Sequence, residues 1–159
     1  MENLDAKQDN NIIASGGQKE KLGRVRRKLV NRFPKYAFLK NRKIIDNGNS
    51  TPGGAGCTNG MEIRINANMD EEEQIAVLAH EAEHIKRGDC EKSVEDPLLW
   101  NIATDAVINE ELRTNGIKLS RGINIPGAQK MGAEKLYKSL LAQKRGLKEQ
   151  HEERETKIA

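Results

Sequence analysis

The sequence predicts an α+β fold: a small sheet, one long capped helix beside it, and further helices. Three observations predict it. Residues 70–88 carry both helix-start and helix-stop signals. Asn59-Gly60 followed by Glu62-Ile63-Arg64-Ile65-Asn66 reads as a turn and a half-buried strand. Helical periodicity recurs at 18–32, at 98–113 and again from about 132.

In chain order, residues 1–17 are polar and end in Ser15-Gly16-Gly17, and are expected as a flexible N-terminal tail. Leu22, Val25, Leu29 and Val30 then give a helix over Gln18 to Arg32, which Pro34 stops. Lys40 to Asn47 forms a strand around Ile44 and Ile45, and the Gly-, Ser- and Pro-rich stretch Asn47 to Gly56 is a loop. After the hairpin, Asp70 opens the next helix with Glu73 three residues on, a capping-box pair. Ile75, Leu78, Ala79, Ala82 and Ile85 form its apolar stripe, and Gly88 is its C-cap. Pro97 leads a helix from about Leu98 to Arg113, ended by Asn115-Gly116, and Ile117 to Gln129 is irregular. The last helix carries Ala133, Leu136, Leu140 and Leu141, and residues 142–159 form a charged C-terminal tail, frayed or disordered.

Composition narrows the classes. The chain has 159 residues, 36% hydrophobic and 32% charged, so one domain with a modest aliphatic core is expected. Net charge is only +3, yet Lys19 to Lys43 is strongly basic, with Glu20 its single acid. Such a run attracts polyanions or simply forms the solvated face of an amphipathic helix, and the second reading is preferred. No leader or membrane span is legible, so a cytoplasmic protein is expected, with Cys57 and Cys90 reduced.

The chemistry concentrates in His80-Glu81-Ala82-Glu83-His84. Two histidines four residues apart on a helix share one face, one turn apart, and can reach a single ion. Zinc suits imidazole ligands, and its catalytic sites keep one position open for water. Glu81, beside the first histidine, is the candidate general base that takes the proton of that water. The pair uses two of only three histidines in the chain, the other being His151 in the charged tail.

A catalytic zinc calls for a third protein ligand. Candidates downstream are Asp89, Cys90, Glu91, Glu95, Asp96, Asp105 and Glu110. Gly88 falls one residue too late for a Met-turn arrangement, which argues against Cys90. Asp105 is favoured: Asn101, Asp105 and Asn109 form a polar stripe at i, i+4 and i+8 on an otherwise apolar helix. A carboxylate there must be paired or bound to metal. Asp105 is either that ligand or a partner orienting a histidine ring, and Asn101 and Asn109 either support the site or line its cleft.

Several blocks together resemble a known family. They are Phe33-Pro34-Lys35-Tyr36-Ala37-Phe38-Leu39, Cys57-Thr58-Asn59-Gly60 leading into Ile63-Arg64-Ile65-Asn66, Leu78 to His84 with Gly88, Trp100 to Asn109, and Gly132 to Tyr137. In this order they resemble the zinc metallopeptidase domain that precedes a von Willebrand factor A-like domain in many bacterial proteins. The Trp-Asn-x-Ala-x-Asp-x-x-x-Asn block is the most particular of them. The resemblance implies a compact zincin-like domain over residues 18–141, a zinc ion and proteolysis. It places ligand roles on His80 and His84 and the base role on Glu81, and it supports Asp105 as third ligand. No von Willebrand-like domain follows in this sequence.

The leading expectation is therefore a zinc-dependent peptidase, an endopeptidase acting on protein or peptide, with the strand at Glu62 to Asn66 offering a free edge to an extended substrate. One alternative is a binding module merely braced by metal, and Glu81 argues against it because a structural site needs no base. The other is a nucleic-acid-associated protein using the basic helix, which lacks aromatic interleaving and any reading motif. No membrane partner is expected.

Overall fold

Each helix begins or ends where the sequence offers a physical reason. In the computed structural model, which describes residues 9–51, 56–119 and 122–158 apart from the side chains of Asn49, Cys57 and residues 156–158, the elements run as follows. Strand β1 is Ile12–Ile13 and helix α1 is Gly16–Arg32. Pro34 ends α1 and opens a 3-10 segment, Pro34–Asn41. Strands β2 (Lys43–Asp46), β3 (Gly56–Thr58) and β4 (Glu62–Ile65) follow. Helix α2 is Glu71–Arg87, α3 is Pro97–Thr114, α4 is the short Ala128–Met131, and α5 is Ala133–Ile158. The fold is α+β, as the residue patterns predict.

The chain divides into two units. The first holds residues 1–92 and 112–120, the second 93–111 and 121–159. In the first, a four-stranded sheet has the order β1-β2-β4-β3. β1, β2 and β4 are parallel, and β3 closes an antiparallel hairpin with β4. Asn59 caps that turn, its Oδ1 accepting from the Met61 and Glu62 amides at 2.9 and 3.0 Å. Alternation along β4 buries Ile63 and Ile65 and leaves Arg64 exposed. Helix α2 packs against β3, β4 and α1. Leu22, Leu29, Ile44, Ile63, Leu78 and Ala82 are among the core residues that this packing buries.

Two expectations change here. β4 is an interior strand, hydrogen-bonded to both β2 and β3, so it has no free edge; the edge on that side is β3. The parallel β2–β4 pairing joins residues about twenty apart, and no local pattern announces it. Residues 9–17, expected as tail, contribute β1 and the start of α1, while residues 1–8 lie outside the described residues. The expected loop 47–56 is described only in part, since residues 52–55 also lie outside.

The basic run is not a simple solvated face. Arg26 is 3% exposed and pairs with Asp9 at 3.2 Å, while Arg27 reaches the same carboxylate at 3.1 Å. Burial lowers the pKa of the Arg26 guanidinium, against the pull of Asp9 in the opposite direction. Arg24 and Lys28 both reach Glu71 at the start of α2, at 3.0 and 2.7 Å. Lys21 donates to the Met69 carbonyl. These partners lie 15 or more residues away in sequence, so the run reads as surface until the chain is folded.

The second unit packs Ala103, Ala106 and Val107 of α3 against Ala128 and Leu136. Trp100 meets Tyr137 edge-on at 5.6 Å. Asp96 caps α3 through the Leu99 amide at 3.1 Å and binds Lys144 at 2.6 Å. Helix α5 continues well beyond Lys144, through the stretch expected as a charged tail. Glu, Lys, Arg and Gln are good helix formers, and His151 and Glu155 pair at i, i+4, 3.1 Å apart.

Candidate metal centre

Helix α2 positions the constellation, and its ends explain why. Asp70 accepts from the Glu73 amide at 2.8 Å, and Glu71, Glu72 and Glu73 lie in the positive first turn. At the other end Gly88 takes the left-handed conformation, φ 66°, and its N–H caps the carbonyls of His84 and Ile85. Leu78, Ala79 and Ala82 face the core, which fixes the rotation of the helix and so the direction of the intervening residues.

His80 and His84 meet as their spacing predicts. Their rings are edge-on, centroids 4.7 Å apart, and the two Nε2 atoms lie 3.1 Å from each other. The other ring nitrogen of His84, Nδ1, is 3.0 Å from Asp89 Oδ2. Hydrogen bonding to that carboxylate assigns the proton of a neutral His84 to Nδ1, and the lone pair then sits on Nε2. Glu81 is buried, 5% exposed, with its side chain beside β3: a Cβ placed on Gly56 would lie 3.6 Å from Glu81 Cγ and 2.4 Å from Val77 Cγ1. Gly56 thus lets the strand approach the helix where the base candidate sits.

Asp105 is half-buried on α3, flanked by buried Thr104 and Ala106. Of the described His, Cys, Asp and Glu side chains, His80, His84 and Asp105 are the set that could hold a metal ion. The other candidate ligands have different engagements. Asp89 is on His84, Glu95 binds Arg145 at 2.6 Å, and Asp96 binds Lys144. Glu110 accepts from the Gly127 and Gln129 amides at 2.9 and 3.2 Å. Glu91 is exposed, as is Cys90, whose Sγ lies 3.6 Å from the Thr58 carbonyl oxygen. Of the two amides in the stripe, Asn101 is exposed, whereas Asn109 is buried and donates to the Ile123 carbonyl at 3.1 Å.

Sequence reasoning missed Glu83. It is 2% exposed and receives the Tyr36 hydroxyl at 2.7 Å, Lys35 at 3.0 Å and Arg87 at 3.1 Å. Burial pushes its carboxyl up, but these three donors outweigh burial and hold it below its ordinary value. Only the i, i+4 pair with Arg87 was visible along the helix.

No curated protein matches the chain, and no solved structure does. A family model does match, over residues 18–159, and its description is "Putative metallopeptidase domain". The matched span covers most of the chain, takes in His80, Glu81, His84 and Asp105, and agrees with a donor set suited to a metal ion. The chain belongs to this metallopeptidase-domain family.

Proposed function

We propose that the protein is a zinc-dependent peptidase, zincin-like in its site, in which His80, His84 and Asp105 hold the metal and Glu81 is the general base. The observation that carries the reading is the 3.1 Å separation of the two Nε2 atoms. Two imidazole nitrogens about 2.1 Å from one tetrahedral zinc stand roughly 3.4 Å apart, so the pair needs little adjustment to share an ion. One carboxylate added to two imidazoles leaves one tetrahedral position for water, the composition of a catalytic zinc site.

When bound, zinc supplies a Lewis acid that lowers the pKa of a coordinated water toward neutrality and polarises a carbonyl. The chain's own residues do the rest. Glu81 accepts the proton of the attacking water, then returns it to the departing amine nitrogen. Its burial keeps that exchange away from bulk solvent. Strand β3, the sheet edge beside α2, offers backbone groups to an extended peptide. We place the protein in the cytoplasm; among the described residues no helix is long and apolar enough to cross a membrane.

Elemental analysis of protein purified without added metal tests the reading, with one zinc per chain expected. Asp105→Ala should weaken zinc by more than the roughly hundredfold that losing an orienting partner costs, measured by chelator competition. Wild-type protein that neither contains nor takes up zinc would overturn the proposal, and unchanged affinity in Asp105→Ala would remove that residue from the site.

A further inference from the structure

The turn that ends α2 does more than stop it. Gly88, in the left-handed conformation, reverses the chain, and Asp89–Glu91 form a single 3-10 turn. That turn carries Asp89 back over the last turn of the helix, five residues beyond His84, where its Oδ2 meets the His84 Nδ1 at 3.0 Å. The next residue is seated against the β3–β4 turn. Cys90 Sγ approaches the Thr58 carbonyl, and a Cβ on Gly60 would lie 3.8 Å from Cys90 Cβ. The side chains of His84 and Asp89 are only 12% and 10% exposed, so water competes weakly for their hydrogen bond.

We propose that Asp89 is the positioning residue for His84: it fixes the ring and its tautomer so that the Nε2 lone pair faces the His80 Nε2. This rests on the metal-site reading above and deepens it. Asp89 does not serve as a ligand in this arrangement, because its oxygen accepts the Nδ1–H of His84, on the other ring nitrogen from the Nε2 that faces His80. An imidazole free to rotate about two side-chain torsions would have to be immobilised at the moment of binding; the Asp89 carboxylate immobilises it beforehand and raises the basicity of Nε2. Gly88 is the hinge of the device, since its φ of 66° lies in the region that side chains disfavour.

The test has two arms on the full chain. Zinc affinity is measured by chelator competition for wild type, Asp89→Ala and Asp89→Asn, with thermal unfolding of each metal-free protein as a control on the fold. Asp89→Ala should bind zinc about ten- to hundredfold more weakly, and Asp89→Asn, which keeps an acceptor oxygen, should recover part of that loss. In the second arm, nitrogen-15 NMR of the metal-free proteins reads the His84 tautomer. Wild type should carry its proton on Nδ1, and Asp89→Ala should shift toward Nε2, a change that a merely structural role would not produce. Equal zinc affinity in Asp89→Ala beside a zinc-binding wild type overturns this inference alone, as does a wild-type His84 unprotonated at Nδ1. Wild type that takes up no zinc fails the parent reading, and the tautomer then still reports on the Asp89–His84 bond. Should Asp89→Ala not fold, Asp89→Asn and the wild-type tautomer decide.

Discussion

Glu81 and Glu83 stand two residues apart on α2, both buried, and the proposed function gives them opposite roles. Glu83 is held by a hydroxyl, an ammonium and a guanidinium, brought by Tyr36 and Lys35 of the 3-10 segment and by Arg87 of the helix itself. Its charge is neutralised and its geometry fixed. Glu81 lies instead on the side of β3, next in sequence to His80, a ligand in the proposed metal site, with Gly56 letting the strand come close. On that proposal, the comparison teaches that a buried carboxylate serves as anchor or as reagent according to its neighbours. One that is clamped by cations cannot readily accept a proton, whereas a base has to.

The contrast can be broken at either residue. The largest effect is expected from Glu81→Gln, which on the proposed mechanism keeps the shape and the metal ligands but removes the proton acceptor. Hydrolysis of a denatured-protein panel should fall about a hundred- to ten-thousandfold, with unfolding in urea little changed. The reverse is expected of Glu83→Gln. Breaking a buried ionic cluster takes from Lys35 and Arg87, each about one-third exposed, the carboxylate they share, and should cost roughly 3 kcal/mol in urea unfolding. Its activity per folded molecule should stay near wild type; loss of catalysis in a folded Glu83→Gln would erase the distinction.

Acid sharpens the same point. The Glu83 carboxyl lies below its ordinary value when folded, so the stability it lends is fully present above its unfolded value, about 4.3, and is lost as pH falls through the lower folded value. The stability gap between wild type and Glu83→Gln should therefore close in acid below that pH. A third carboxylate on the helix sets the bottom of the scale. Asp70→Ala removes the N-cap bond to the Glu73 amide and should cost about 1 kcal/mol by the same measurement, with no effect on zinc.

What was legible in the sequence was local. The capped helix, the Asn59 turn, the alternation of β4 and the meeting of His80 with His84 all follow from spacings of two to four residues. What escaped was set by partners distant along the chain. Tyr36 and Glu83 are 47 residues apart, and Asp9 and Arg26 are 17 apart. Nothing in the pattern of either partner says that it will find the other. Asp89 lies between these cases. It was visible as a candidate ligand near His84, but which ring nitrogen it would meet depends on the left-handed turn at Gly88, a matter of three-dimensional path.

The clamp of Asp9 on Arg26 and Arg27 has a consequence for where this protein ends as a physical object. A Cβ on Gly23 would stand 2.2 Å from Asp9 Oδ2, so the bare backbone of α1 makes the recess that receives the carboxylate. Residues 9–13 are thereby locked onto the sheet, yet the family match begins at residue 18. The matched span and the packed sheet thus have different borders. A fragment trimmed to the matched span would strip Asp9 from a nearly inaccessible guanidinium and uncover the flank of β2, a ready template for strand exchange between chains.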